Sequence, residues 1–582
     1  MHYEIPRVLI CLTLITFVYV GSSTNNYYTV LQNFQFSHGK NLSHPSLVRV
    51  LCLILTSPKY ILTRAKAVHE TWAPQCDRYF FITESLGNDV KSKESNFIEQ
   101  LPIAPIKNIT TGYDHLTQKS TLAFLFAYEN YFNDFNWFVK ADDDTYVIVE
   151  HLKKFLSEQN SSEPVTFGYN FKVHVPKGYH SGGASYVLSR ESLRRFYEAQ
   201  QDPTSNCRKD GGSEDIEIAN CLRTKGVYPG KSLDKQNREL FHPLPFVDHF
   251  RGFFPDWLAT YAENPPQSNY NCCSDQTISF HYVRPEEQYL IFRTRHYDIV
   301  VPSFQFNRSK IPTHIISPRI CCLILTSPNN FLTRTKAVND TWAQRCDRYF
   351  FITEYSQEKM TSEQIKFTKQ IPIAPLKGII PGYDHLTKKS VLAFLFAYEN
   401  YLNDFDWFVK ADDDTYVIVE HLKKFLSEQN SSEPITFGYN FKVIVPKGYH
   451  SGGASYVLSR ESLRRFYEAH KSRTANCQED GGSEDVVIAS CLRTQGVYPG
   501  KSLDKQNREL FHPLPFIDHF RGSFPDWLAS YAENPLQTHY DCCSDETISF
   551  HYVTPEQQYL MDFLLYRTHP KLNINKSNSS MT

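Results

Sequence analysis

Three consecutive aspartates, Asp142-Asp143-Asp144, follow the apolar run Trp137-Phe138-Val139 and precede Thr145–Val149. Adjacent carboxylates repel one another, and a cation relieves the repulsion. In a strand, or a tight turn after it, Asp142 and Asp144 point to one side and Asp143 to the other. One carboxylate can then bind a divalent ion while its neighbour acts through water or a sugar hydroxyl. Hard oxygen ligands beside a diphosphate suit Mn²⁺ or Mg²⁺. A solvated acidic turn, or an N-cap for a helix over Val147–Leu156, accounts for the same residues without a ligand.

Two further groups could complete such a centre. Ser213-Glu214-Asp215 follows Gly211-Gly212 and opens an amphipathic stretch over Ile216–Arg223. A carboxylate there can serve as general base at a cleft rim, while a serine cap with acids in the first helical turn is the purely structural reading. His281, in Phe280-His281-Tyr282, offers an imidazole that can close a metal shell, although lone histidines are often structural. Gly182-Gly183, after His180, permits either close approach to a ligand or a tight turn.

The elements that must hold these residues read as an α/β sheet. Arg49–Thr56 is a near-continuous apolar run, as in strands buried on both faces. A helix over Leu62–Trp72, a strand over Arg78–Thr83, a helix over Thr117–Tyr131 and a strand over Trp137–Lys140 follow. Strand–helix alternation places chemistry in loops at the carboxyl ends of the strands. Neither a Gly-x-Gly-x-x-Gly nor a Walker sequence occurs, so a nucleotide would be held without either glycine loop.

All of this is written twice. Arg49–Leu290 realigns on Arg319–Leu560 at a constant offset of 270 residues without a gap, and Thr111–Gln200 agrees with Pro381–His470 at 82 of 90 positions. The period suits a whole domain rather than a solenoid unit. The second copy carries Asp412, Asp414, Asp485 and His551 at the matching places.

The 582 residues carry a net charge of −2, which gives no electrostatic case for a nucleic-acid partner. Arg7 precedes an apolar run from Val8 to Val20, short for a bilayer span; a cleaved signal peptide and a short signal-anchor both remain open. The expected plan is residues 1–24 as that segment, 25–48 a stem, 49–291 the first domain, 292–318 a linker, 319–565 the second domain and 566–582 a polar tail. Six matched cysteines per copy fit three bridges in an oxidising lumen, with Cys207–Cys221 and Cys477–Cys491 as local staples. Cys272-Cys273 and Cys542-Cys543 pair with each other or elsewhere. Asn-x-Ser/Thr triplets at Asn41, Asn108, Asn160, Asn307, Asn339, Asn430, Asn575 and Asn578 agree with a secretory route.

Taken in order, Thr63–Trp72, Trp137–Tyr146, Gly182–Ser189, Gly212–Asp215 and Cys272–Val283 resemble the core 1 β1,3-galactosyltransferase family, the glycoprotein-N-acetylgalactosamine 3-β-galactosyltransferases. The resemblance runs through both copies. It implies two tandem GT-A-type domains, each a mixed, mainly parallel sheet flanked by helices. It also implies a type II anchor, a Golgi or early-secretory location, and inverting transfer of galactose from UDP-galactose to the 3-hydroxyl of GalNAc on Ser/Thr.

On the same grounds Asp144 and His281 are implied as metal ligands and Asp215 as the base, with Asp142 near the ribose and metal waters. Arg64 and Lys66 fall on the nucleotide side and Trp257 where the acceptor is contacted. Arg334, Lys336, Asp412, Asp414, Asp485, Trp527 and His551 match them in the second copy. The expected partners are O-GalNAc glycoproteins, a UDP-sugar and a membrane; a homo-oligomer is left open. Another UDP-sugar β1,3-transferase, or a silent chaperone-like protein of the same fold, are the rival readings. Tandem duplication itself departs from the family's usual single unit.

Overall fold

The computed structural model describes residues 48–86, 95–296, 317–355, 358, 360–472 and 477–568. The N-terminal apolar run, nearly all of the expected stem, and most of the expected linker and tail lie outside them. So do Asn41, Asn307, Asn575 and Asn578. Among the described residues, no helix is long and apolar enough to cross a membrane.

The first copy contributes eleven strands. They are β1 (Val50–Leu55), β2 (Arg78–Ile82), β3 (Trp137–Asp142), β4 (Tyr146–Val147), β5 (Val165–Gly168) and β6 (Asn170–Phe171), then β7 (Tyr179–His180), β8 (Tyr186–Ser189), β9 (Tyr228–Pro229), β10 (Phe241–His242) and β11 (Ser279–Phe280). The main sheet runs β2-β1-β3-β8-β5-β9, with β8 antiparallel to both neighbours and the other pairs parallel. A small sheet, β10-β11-β4, stands beside it. The second copy repeats both orders.

β1 explains why the main sheet is central. Every residue in it is buried. Leu51, Leu53 and Leu55 face a core containing Phe124 and Phe196, while Val50, Cys52 and Ile54 face the opposite one with Trp72 and Leu152. Alternation along a strand sends neighbours to opposite faces, so apolar residues throughout mean cover on both. The helix Leu116–Tyr131 supplies cover on the first face, packed with helices Arg190–Gln201 and Glu214–Thr224. The segment expected as one helix over Leu62–Trp72 enters through a π-helical turn at Ile61–Ala65 and becomes α-helical only over Lys66–Glu70.

Three bridges recur in each copy: Cys52–Cys76, Cys207–Cys221 and the vicinal Cys272–Cys273 in the first, with their counterparts Cys322–Cys346, Cys477–Cys491 and Cys542–Cys543 in the second. The adjacent cysteines therefore pair with each other. Cys321 is free and buried.

The described residues form one compact unit; one hydrophobic cluster runs through both copies, and each copy has another of its own. Phe250 stacks on Tyr559 at 4.4 Å and Tyr289 meets Phe520 at 4.5 Å between ring centroids. Arg251 pairs with Glu556, and Arg521 with Glu286. Adding the offset to one member of each set gives the other, so the copies meet through the same surface, as subunits of a two-fold dimer do. Several positions break the correspondence, Asp562 and Phe563 among them. Phe563 packs at 4.7 Å on Phe246 and also on Phe280 of the first copy. Its counterpart Arg293 instead donates to the Cys543 carbonyl and pairs with Asp545. A cavity of ≈ 300 Å³ opens there, beside Phe516 and Phe550.

Candidate active site

β3 ends on Asp142, and Asp143 and Asp144 occupy the turn after it, closed by the Thr145 N–H on the Asp142 carbonyl at 3.1 Å. This divides the triplet as the alternation of side chains demands. Asp143 turns inward, where the buried Thr56 hydroxyl donates to it at 2.6 Å. Burial pushes its carboxyl up to about 7, against the pull of Thr56. Burial acts the same way on Asp144, but His281 and Arg64 overcome it and hold that carboxyl below its ordinary range. Arg64 reaches Asp144 at 2.9 Å and Asp143 at 3.3 Å.

His281 arrives from far along the chain by a ladder. β11 pairs antiparallel with β4, Phe280 opposite Tyr146, and the Val283 N–H donates to the Asp144 carbonyl at 2.8 Å. The imidazole consequently lies over the aspartate turn, Nε2 to Asp144 Oδ1 at 3.4 Å. Nδ1 faces the Pro243 carbonyl at 3.3 Å, which can only accept, so in a neutral ring that nitrogen carries the proton and Nε2 is left to bind a cation. A lone pair facing a carboxylate fits a cation between them. Asp142, Asp144 and His281 each offer one ligand atom, and these atoms lie within 4.8 Å of one another. Hard oxygens with one imidazole suit a divalent ion.

The paired glycines make this packing feasible, and the approach they permit is to protein side chains. A Cβ on Gly183 would lie 1.9 Å from the His281 ring, and one on Gly182 would lie 2.7 Å from Glu214.

Lys140, absent from the residues singled out by sequence, ties the two halves of the site together. Its ammonium is buried in β3, 2.8 Å from Asp142 and 3.6 Å from Glu214, and donates to the Gly182 carbonyl at 3.2 Å. Burial works against its charge, yet these carboxylates keep it protonated. Asp142 is thereby neutralised by lysine, which suits an indirect role. The only available signal was a charged residue inside an apolar strand run. Glu214, also buried, accepts from the Tyr186 hydroxyl at 2.7 Å.

Asp215 stands in the first turn of helix Glu214–Thr224 and accepts the Gly182 N–H at 3.3 Å and the Ile216 N–H at 2.9 Å. Burial, then the charge of Glu214, pushes it up to about 6, opposed by those backbone donors. Ser213 occupies the N-cap position with acids in the first turn, as the structural reading has it, but its side chain makes no cap hydrogen bond. Gly211 and Gly212 are both left-handed, φ 71° and 73°, and turn the chain into the helix.

The outer residues divide. Arg64 belongs to the carboxylate cluster, whereas Lys66 lies over the Phe97 ring. Trp257 is 43 % exposed and packs edge-on to Phe171 and Tyr261. The second copy reproduces the arrangement. His551 is 3.3 Å from Asp414, Arg334 is 3.1 Å from Asp414, Lys410 is 2.7 Å from Asp412, and Asp485 accepts the Gly452 N–H at 3.2 Å. Lys336 pairs with Asp340, and Trp527 is 45 % exposed.

The Fringe-like family pattern matches residues 46–242 and again 318–512. The chain belongs to the Fringe-like glycosyltransferases. It carries the Fringe-like GT-A unit twice in tandem and is related to the core 1 galactosyltransferases. Glycoprotein-N-acetylgalactosamine 3-beta-galactosyltransferase 1 of Xenopus laevis is 38 % identical over 273 residues, 45 % of this chain and 72 % of the relative. A beta-1,3-glucosyltransferase of Mus musculus is 27 % identical over 191 residues, 32 % of this chain and 36 % of its own length. Chondroitin sulfate synthase 3 of Mus musculus is 26 % identical over 188 residues, 30 % of this chain and 20 % of its own.

Within this pair of Fringe-like units the carboxylate–histidine cluster is constant, and differences gather around it. The first unit pairs Arg208 with Glu217 at 3.2 Å, two residues beyond Asp215; Gln478 and Val487 stand there in the second. Tyr60 lies against Arg64 in the first, while its counterpart Asn330 donates to Asp413 at 2.8 Å in the second.

Proposed function

We propose that each Fringe-like unit transfers galactose from UDP-galactose to the 3-hydroxyl of a GalNAc linked to Ser or Thr, with inversion. The observation that carries this is the Gly182-Gly183 junction. One glycine holds the Asp215 carboxylate and the next admits the His281 ring, which sets the proposed base beside the proposed ligands. Asp144 and His281 would hold a divalent cation, Mn²⁺ or Mg²⁺, with Asp142 toward the ribose; bound there, it supplies charge neutralisation for the departing diphosphate.

In the reaction, the acceptor hydroxyl oxygen attacks the anomeric carbon from the face opposite UDP. The sugar–phosphate bond breaks, and the hydroxyl proton passes to Asp215, or Asp485 in the second copy. No covalent sugar–enzyme bond is needed. Arg64 and Arg334 serve the nucleotide side together with Lys66 and Lys336, and Trp257 and Trp527 serve the acceptor. The relationship to the Xenopus galactosyltransferase supports the donor and acceptor assigned here.

The repeated bridges support an oxidising lumen, and we assign the chain to the Golgi or early secretory pathway, anchored by residues 1–24 through the stem 25–48. The catalytic units are assigned to 49–291 and 319–565. Purified luminal protein incubated with a panel of UDP-sugars, Mn²⁺ and GalNAc-Ser/Thr peptides tests the proposal. Galactose transfer that disappears in chelator and in the double variant D215N/D485N is expected. Transfer from a different donor, or client binding without product, would overturn it.

A further inference from the structure

Phe171, Tyr179, Trp257 and Tyr261 form a continuous aromatic wall, with ring centroids 5.4 Å apart for Phe171–Tyr179, 5.9 Å for Phe171–Trp257 and 5.5 Å for Trp257–Tyr261. Its inner end is β7, which packs on the helix bearing Asp215 and leads directly into Gly182. Burial, and then the nearby Asp215 charge, raises the Tyr179 phenol above its ordinary range. The wall therefore extends outward from Asp215, and on the transferase reading it flanks the acceptor.

At the outer end the two copies differ in kind. His174 in the first copy faces the Tyr261 hydroxyl through Nε2 at 3.0 Å. In the second copy Phe441, Tyr449, Trp527 and Tyr531 rebuild the wall, but Ile444 takes the place of the histidine. The backbone is left-handed at both, φ 60° and 65°. A β-branched side chain in that region is a genuine outlier, more strained than a histidine there. Ile444 is also 67 % exposed, so burial does not compensate for the strain. An apolar, strained and exposed side chain three residues along the chain from Phe441 of that wall has its clearest use in contact with a ligand.

We propose that position 174/444 selects the aglycone that each copy accepts. The His174–Tyr261 pair donates and accepts hydrogen bonds, so the first copy takes acceptors whose group next to the sugar is polar. Ile444 offers exposed apolar surface instead, so the second copy takes acceptors whose neighbouring group is apolar or aromatic. This rests on the transferase reading above and adds which acceptor goes to which copy.

The full chain tests it with one base silenced at a time, D215N leaving the second copy and D485N the first. Two acceptors are compared, benzyl α-GalNAc and a GalNAc-Ser peptide with acidic flanking residues, and the readout is the ratio of their kcat/KM values. The D215N chain should favour the benzyl acceptor about five- to tenfold more than the D485N chain, an effect the size of one pocket contact and residing mainly in KM. Because the Arg208–Glu217 pair also differs between the copies, single swaps decide the residue: I444H in the D215N chain should lower the ratio, and H174I in the D485N chain should raise it. Ratios that neither swap moves, in chains that still transfer, would overturn the inference while leaving the transferase reading intact. No transfer from either chain, or from the unmodified one, would sink that reading and the inference with it.

Discussion

A base at Asp215 must be ionised to accept a proton, and burial together with Glu214 lifts its carboxyl to about 6. Raising a carboxylate's pKa protonates it at higher pH, so acidification removes the base. In the D485N chain, where only the first copy turns over, kcat/KM should fall about tenfold per pH unit below 6 and level off above it. A profile flat from pH 5 to 8 would remove Asp215 from the proton transfer. Gly183 permits an equally local test. A methyl there would stand 1.9 Å from the His281 ring, so G183A should displace the ring and cost about 10- to 100-fold in metal affinity, read by Mn²⁺ titration of activity in the same chain. Unchanged Mn²⁺ dependence would dissociate His281 from the metal.

At the scale of elements, the sequence was most legible where pattern reports burial. The all-apolar β1 and the strand leading into the aspartates were readable because a strand covered on both faces has no polar alternation to hide it. The separation of Asp143 from its neighbours followed from the same geometry. Partner choice was less legible. Nothing local says that Lys140 joins Asp142 to Glu214, or that β11 pairs with β4, because such contacts are fixed by topology rather than by spacing. The vicinal cysteines illustrate this too: adjacency allowed their bridge without requiring it. Another bridge carries a prediction. Cys207–Cys221, separated by 14 residues, ties the loop before the Asp215 helix to the helix itself. Closing a loop of that size stabilises by about 3 kcal/mol, so the pair C207A/C221A should lower the denaturation midpoint accordingly. An unchanged midpoint would mean that packing alone holds the helix.

At the scale of the whole molecule, the two expected units are found in tandem, and one hydrophobic cluster spans both. Phe246, Phe250 and Phe520 carry no local mark of their place between the copies, since composition does not distinguish a core from an interface. Phe563 is almost fully buried and packs against Phe280, the residue before His281. F563A should destabilise the protein by about 3–5 kcal/mol. It should also impair the first copy, assayed in the D485N background, more than the second, assayed in D215N. Equal losses would show that the contact serves stability alone.

The same contact sets an order on biosynthesis. Tyr559, Phe563 and Arg567 are among the last described residues to leave the ribosome, yet they cover Phe250, Phe246 and Tyr270 of the first copy. The amino-terminal half cannot seal its own hydrophobic face when its translation ends; that face stays bare until the second half has emerged and folded against it. A nascent chain stalled between the copies would display a patch of phenylalanines, the kind of surface that holdases recognise.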